Sequence, residues 1–249
     1  MKDAMTVSGL LSIVVPAYNE AAYIGTAISE ISAYLDTRNI EGEIIVVDDG
    51  SSDKTQQACE EIGGQNSRVR CLAHDTNQGK GQAVRTGVKA SHGDIVLFTD
   101  ADLSTPVEEI DGLLAAFDSD CDLVIGSRHL PGAEIRTPQP FMRRFMGDRF
   151  RWLARSVLNL KVSDITCGFK AFRADAAREV FERSTISGWA FDAELLVIAN
   201  ELGLKTREVP IVWEDCRDSR VRPISSAIEA LRQLYAIRRR MLSGHYRST

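Results

Sequence analysis

No stretch of this 249-residue chain approaches the roughly 18–20 consecutive apolar residues that a membrane-spanning helix needs. The N-terminal run "LLSIVV" is too short for a secretory core, has no cleavage site behind it and passes straight into "PAYNE". Cysteine is scarce. Cys59, Cys71, Cys121, Cys167 and Cys216 are odd in number, widely spaced and without a CxxC pair, which reads as neither a disulfide framework nor a zinc site. Cys71 and Cys121 fall in apolar strand-like runs and read as small buried hydrophobes, and a reducing, cytoplasmic setting fits that usage. A large charge excess is lacking too: a net charge of −5 argues against nucleic acid as the partner. These absences predict a chain that is soluble or lies against a membrane surface without crossing it.

What is present is an ordinary globular composition, 44% hydrophobic and 26% charged. The length is enough to bury roughly 70–75% of the unfolded surface, so a core needs no disulfide or metal. Charge is unevenly spread. Arg136 to Lys161 holds seven basic residues and one acid, and Arg217 to the C-terminus holds eight and two.

Apolar runs "LSIVVPA", "EIIVVDD", "RVRCLA", "DIVLFTD" and "DLVIGS" read as strands, and Ile24, Ile28, Ile31 and Leu35 recur at helical spacing. Thr105-Pro106-Val107-Glu108 reads as a capping box with proline at the first helical position. The alternation predicts an α/β fold with a mostly parallel central sheet covered by helices on both faces. In such sheets ligands sit outside the carboxyl ends of the strands, where PAYNE, DDGSSD, TDAD and GSR all fall. Further on, 141–160 reads as a helix with Met142, Met146, Phe150, Leu153 and Val157 on one face. "GFKAFR" reads as a strand, Ala190–Leu202 as a helix, Thr206–Trp213 as one strand and Ser225–Leu242 as a final helix.

Asp100 and Asp102 pose the chemical question. In extended chain, residues i and i+2 point the same way, so two carboxylates converge where only a cation would reconcile them. Hard oxygen ligands suit Mg²⁺ or Mn²⁺, with water and phosphate completing the shell. A bare DxD also describes an exposed strand end followed by a turn. "NQGKGQ" is not a Walker loop, whose lysine is followed by Ser or Thr. Gly79 and Gly81 would let the backbone approach a ligand, and Lys80 would add positive charge there.

"VVPAYNE", "VVDDGSSDKT", "NQGKGQAVRTG", "FTDADLST", "VIGSR", "CGFKAF" and "WAFDAELL" stand in the order and spacing of inverting GT-A glycosyltransferases. From Leu11 to Trp213 the chain resembles those that transfer sugars to polyprenyl phosphates, the dolichyl-phosphate glucosyl- and mannosyltransferases. That resemblance implies nucleotide binding by Pro16, Ala17, Tyr18, Glu20, Asp48, Asp49, Gly79, Lys80, Asp100 and Ala101. It implies metal binding by Asp100 and Asp102, and an acceptor-phosphate site at Ser127 and Arg128 with Arg143 and Arg144 as helpers. Asp102, Arg128 and Asp192 would be catalytic, and Glu194, pointing about 200° away from Asp192 on a helix, structural. Mannosyl members often carry glutamine where Ser104 stands here, so UDP-glucose is favoured over GDP-mannose as donor. The resemblance divides residues 1–215 into a nucleotide and metal half, 10–127, and an acceptor and sugar half, 128–215. Residues 216–249 would form a basic C-terminal helical extension. Members often carry C-terminal membrane spans; this sequence shows none.

The implied chemistry is attack by a phosphate dianion on the anomeric carbon with a nucleoside diphosphate leaving. The acceptor is positioned by Arg128 and needs no general base, because its second pKa is roughly 6. A hydroxyl acceptor would need one, and Asp192 would serve. Arg143, Arg144, Arg151 and Arg155 flank the Met142–Val157 face, which suits a helix at an anionic lipid surface and equally one packed on the core. "LRQLYAIRRRML" suits a membrane surface or a homodimer contact. Three alternatives are a nucleotidyltransferase, disfavoured because PAYNE replaces its glycine-rich loop; a transferase to a small hydroxyl acceptor; and a non-catalytic binding module.

Overall fold

The computed structural model describes residues 9–118, 120–137, 141–188, 190–215 and 223–247, with backbone alone for 141–146 and 223–228. The strands are β1 (Leu11–Ala17), β2 (Gly42–Asp48), β3 (Val69–Ala73), β4 (Ile95–Phe98), β5 (Leu123–Ser127), β6 (Glu134–Thr137), β7 (Lys170–Arg173), β8 (Thr206–Pro210) and β9 (Val212–Glu214). The helices are α1 (Ile24–Arg38), α2 (Thr55–Gly63), α3 (Lys80–Ala90), α4 (Ile110–Ala115), α5 (Phe141–Leu158), α6 (Ala174–Arg183), α7 (Phe191–Glu201) and α8 (Pro223–Leu242). Seven strands form one sheet in the order β3-β2-β1-β4-β7-β5-β8, and β6 pairs with β9 in a small second sheet. Only β7 runs against its neighbours in the large sheet, pairing antiparallel with β4 and β5.

The continuous apolar runs of β1 and β2 are explained by burial on both faces. Side chains alternate between faces. Val14 and Val47 join the core under α3, α6 and α7 with Phe98, Phe172 and Phe181. Ile13, Val15 and Val46 join the opposite core with Ile28, Ile31 and Leu35 of α1. β7 places Lys170 opposite Phe98 in the middle of the sheet, and so interleaves the two halves expected on either side of residue 127. The described part of the C-terminal segment also shares the core: Leu234, Ile237 and Tyr246 are buried in it.

Three sets of expectations change. Cys59 and Cys71 form a disulfide, with Cα atoms 6.1 Å apart. The turn after α2 folds that helix back onto β3, a proximity that a spacing of twelve residues cannot reveal. Cys71 is therefore not a free buried hydrophobe, and cysteine usage no longer argues for a reducing compartment; Cys121 is free and buried. The capping box does not form. Pro106 stands at the N-cap of a 3-10 turn, Val107–Glu109, with no side-chain cap bond, and α4 follows it. Thr206–Trp213 is two strands in different sheets, broken at buried Ile211 after Pro210. Phe150, Leu153 and Val157 of α5 pack against the core. The side chains of Met142, Arg143, Arg144 and Met146, and Trp189, Cys216 and Arg217, lie outside the described residues.

Candidate active site

The polar loops gather at the carboxyl ends of the strands, as an α/β sheet requires. At the end of β1, Pro16 and Ala17 are buried beside Val47 and Asp48, while Tyr18 is 47% exposed. Asn19 follows in the left-handed region at φ 57°, a conformation asparagine tolerates. Its Oδ1 accepts from Ser52 N–H at 2.8 Å and its own N–H donates to Ser51 Oγ at 2.8 Å, tying the first loop to the second. Glu20 N–H donates to Thr55 Oγ1 at 2.8 Å.

The aspartates that end and follow β2, Asp48 and Asp49, have different surroundings. Asp49 accepts from Gln78 N–H (3.0 Å), Gly79 N–H (2.8 Å) and Asn77 Nδ2 (2.9 Å), and meets His74 Nδ1 at 2.7 Å. Both its oxygens are engaged, so it anchors the 74–79 loop. The Asp48 carboxylate accepts from Ser51 alone among the described residues, and Asp48 lines a small pocket with Gln56, Cys59, Cys71 and Ala73. Gly79 and Gly81 do permit a close approach, but to protein. A Cβ at either would fall 2.6 Å from a backbone carbonyl oxygen, that of Ser187 for Gly79 and of Ile186 for Gly81.

That approach delivers Lys80, the first residue of α3, to the end of β4, where its Nζ donates to Asp100. Gly168 closes over the pair: a Cβ there would lie 2.5 Å from Asp100 Oδ2 and 2.8 Å from Lys80 Nζ. Below them, fully buried Lys170 donates to Asp192 and to the Cys167 carbonyl, and stands 5.5 Å over the Phe98 ring. Carboxylates and ammonium groups thus alternate from Asp100 through Lys80 and Asp192 to Lys170, with Asp102 beside Asp100. Desolvation pulls the Lys80 ammonium down, but Asp100, Asp192 and Asp102 together raise it. Burial, and next the charge of Asp100, raises the Asp102 carboxyl; burial likewise raises Asp192 despite both lysines. Ala101 is buried, and Leu103, at φ 47°, forms the tight turn that brings Ser104 N–H to Asp102 Oδ1 at 3.0 Å. A cleft of about 230 Å³ opens beside Asp102, lined among others by Tyr23, Glu30 and Glu214.

Two strands away, Arg128 follows β5. Its Nε and Nη2 donate to the two oxygens of Asp164 at 2.7 and 2.9 Å, and Nη2 also to Thr166 Oγ1 at 2.9 Å. The guanidinium lies 5.4 Å from the Trp213 ring centre. Burial works against the Asp164 charge, but Arg128 outweighs it and holds that carboxyl well below the usual range. Among the described residues, no hydrogen bond engages Arg128 Nη1. Ser127 is fully buried, and its hydroxyl lies 2.9 Å from Ser163 Oγ, which donates to Glu208. The structure therefore presents Arg128 at the surface of the site and keeps Ser127 beneath it. Glu194 is buried and accepts from Thr185 N–H, Ile186 N–H and the Tyr246 hydroxyl, a structural role.

Residues 12–181 match the family described as Glycosyl transferase family 2. The chain belongs to that family. It is 37% identical over 223 residues to a dolichyl-phosphate beta-glucosyltransferase of Trichomonas vaginalis, covering 85% of this chain and 66% of that protein, just under two thirds of its length. It is 35% identical to the dolichyl-phosphate beta-glucosyltransferase of Drosophila melanogaster, covering 95% of this chain and 77% of that one. The fold is that of the glucosyl-3-phosphoglycerate synthase of Mycobacterium tuberculosis in complex with Mn²⁺, UDP and glucosyl-3-phosphoglycerate. The TM-score is 0.66 at 24% identity, over 97% of this chain and 82% of that one. This is the GT-A arrangement.

For a family 2 glycosyltransferase the residues at β4 fit a hard divalent cation. Asp100 and Asp102 offer oxygen donors whose mutual repulsion and desolvation a cation would relieve. No larger group of His, Cys, Asp and Glu stands ready to hold a metal among the described residues, so most of the shell would come from water and phosphate. Asp164, Lys170, His74, Asn77 and Asn19 escaped the sequence reading. Lys170 stood inside the quoted "CGFKAF", but nothing local shows that a lysine in a strand is aimed at an aspartate on a helix.

Proposed function

We propose that this glycosyltransferase moves glucose from UDP-glucose to a polyprenyl phosphate, inverting the anomeric centre. The observation that carries the reading is the pairing of two opposite charge clusters after β4 and β5, the strands on either side of β7: Asp100 and Asp102 with Lys80, and Arg128 with a fork fixed by Asp164. The first suits a metal-borne diphosphate, the second a phosphate nucleophile. Relatives named for dolichyl phosphate and glucose support the substrates, and a structural neighbour holding Mn²⁺ and UDP supports the donor.

Asp100 and Asp102 would hold Mg²⁺ or Mn²⁺. A bound cation of this kind neutralises charge growing on a departing diphosphate. Lys80, partly exposed at the N-terminus of α3, turns its ammonium to the same diphosphate. Asp48 takes the uracil imide N–H, since Asp49 is committed to its loop, and Tyr18 offers a ring face. Arg128 orients the acceptor phosphate, largely ionised at neutral pH, for attack from the face opposite the leaving group. No base is required. Asp192 tunes Lys80 from below, through their charges, and Lys170 keeps Asp192 paired.

The lipid tail has a candidate surface. Among the described residues no helix is long and apolar enough to cross a membrane. The outer face of α8 exposes Leu231, Tyr235 and Leu242 at helical spacing, interleaved with Arg232, Arg238 and Arg239, and Trp152 is exposed on α5. Aromatic and apolar side chains amid arginine suit the cytoplasmic face of an anionic membrane better than a second copy of the same basic helix.

Calorimetric titration of UDP and of GDP, with and without Mn²⁺, tests the donor. Binding of UDP that strengthens at least tenfold with Mn²⁺, with GDP weak, is expected. Glucose transfer to a short polyprenyl phosphate tests the acceptor; transfer only to a soluble hydroxyl compound would overturn that half of the reading.

A further inference from the structure

Beside Arg128, a second guanidinium is brought in from α5. His129, next in the chain, meets Nη1 of Arg151 through its Nε2, and that nitrogen lies 3.9 Å from Asp164 Oδ2. Arg151 comes from α5 and pairs with Asp148 at 3.1 Å through its other terminal nitrogen. Two guanidiniums are therefore held near one imidazole, whose Nε2 faces both Arg151 and the Asp164 oxygen that binds Arg128. Asp164, fully buried, spends both oxygens on the Arg128 fork, whereas Asp148, the partner of Arg151, is 47% exposed, so that water screens and weakens that pair. Burial of the ring lowers the His129 pKa, and the charges of Arg151 and Arg128 lower it further against the pull of Asp164 and Asp148.

Like charges brought together in a partly desolvated place are stable when an anion joins them. The cluster opens to solvent, the side chains of Arg128, His129 and Arg151 being 19%, 31% and 21% exposed. Guanidinium forks match phosphate oxygens in pairs. We propose that Arg151 and His129 complete the acceptor-phosphate site around Arg128, a deepening of the reading above that rests on the role given there to Arg128. The phosphate dianion meets Arg128 Nη1 on one side and the Arg151 guanidinium on the other. His129 Nε2, which accepts from Arg151 here, takes a proton from solvent when the dianion arrives and then donates to a phosphate oxygen. The placement joins chemistry to lipid. Arg151 belongs to α5, α5 packs against α8, and α8 bears the exposed apolar stripe.

The test compares Arg151→Gln, Arg151→Lys, His129→Gln and Arg128→Gln with the unmodified chain. The measurements are KM for a short polyprenyl phosphate in detergent, KM for UDP-glucose, Kd for UDP with Mn²⁺, and thermal unfolding. Loss of a charge-assisted bond to phosphate is expected to raise the acceptor KM roughly 10- to 100-fold in Arg151→Gln, leaving UDP binding unchanged. Arg151→Lys recovers part of the loss, and His129→Gln flattens the pH dependence of the acceptor KM. An acceptor KM that rises in Arg128→Gln but not in Arg151→Gln overturns this inference and leaves the role of Arg128 standing. No change in either variant overturns the role of Arg128 itself. Parallel losses in UDP and acceptor binding would show that Arg151 is only a structural contact, and overturn the proposal as well.

Discussion

Asp100 and Asp102 are carboxylates steadied by a lysine, whereas Arg128 is a cation steadied by a carboxylate, and the two arrangements differ in burial. The Lys80 and Asp100 side chains are 37% and 40% exposed. Water screens such a pair, and it contributes little to folding, so incoming phosphate oxygens can compete for the ammonium at small cost. Asp164, by contrast, has no exposed surface and grips Arg128 by two nitrogens. A buried pair of this kind is expensive to break, because removing one partner strands the other without water. With the roles proposed above, the donor end is built from groups that would change partners during a turnover. The acceptor end has one cation locked at a fixed angle with a single nitrogen turned outward. Partial exposure marks Lys80, Asp100 and Arg128, the groups assigned to phosphates, and complete burial marks Asp164, which aims one of them.

That contrast can be broken in several ways. The largest effect should come from Asp102→Ala, which removes one of only two carboxylates at the candidate metal site. Turnover is expected to fall about 10³-fold or more while the thermal midpoint stays within a few degrees. Full activity in that variant, assayed with UDP-glucose and Mn²⁺, would remove the catalytic reading. Next comes Asp164→Ala, which leaves the largely desolvated Arg128 guanidinium without its carboxylate. A loss of about 3–5 kcal/mol in chemical denaturation is expected, together with loss of acceptor binding.

The same residue sets a pH dependence. Its folded-state pKa lies below the unfolded value of about 3.9. Its contribution is therefore complete above that value and fades as pH falls through and below it, when the native carboxylate must take a proton. Stability measured from pH 6 downward should fall more shallowly in Asp164→Asn than in the unmodified chain.

Lys80→Met sharpens the comparison from the other side: stability should change by less than about 1 kcal/mol, while kcat falls roughly 10²-fold. A loss of stability as large as that of Asp164→Ala would show that the two ends are built alike.

The strands were legible in the sequence, because β1 and β2 carry the apolar runs 13–16 and 44–47 and the polar loops follow closely. The limits of the second half were harder. Thr206–Trp213 reads as one strand, yet Pro210 cannot continue the donor ladder, and the chain leaves one sheet for another at Ile211. Thr105 and Pro106 carry the composition of a cap, but Thr105 is 6% exposed and turned inward. Local composition cannot report such burial.

Within the site, Asp100, Asp102, Lys80 and Arg128 were legible as residue types at strand ends, and the resemblance to inverting glycosyltransferases assigned them roles. The division of labour between Asp48 and Asp49 was not legible, because it depends on which carboxylate the 74–79 loop folds over. Nor were the partners from distant segments: Lys170 on β7 beneath Asp192 on α7, Asp164 around Arg128, Cys59 against Cys71, and Arg151 beside His129. The order of residues determined the strands, the alternation of faces and the placing of reactive groups at strand ends, since these follow from periodicity and local propensity. Tertiary structure alone decided which charges are paired, buried or left to meet substrate, since those are properties of contacts between segments far apart in the chain.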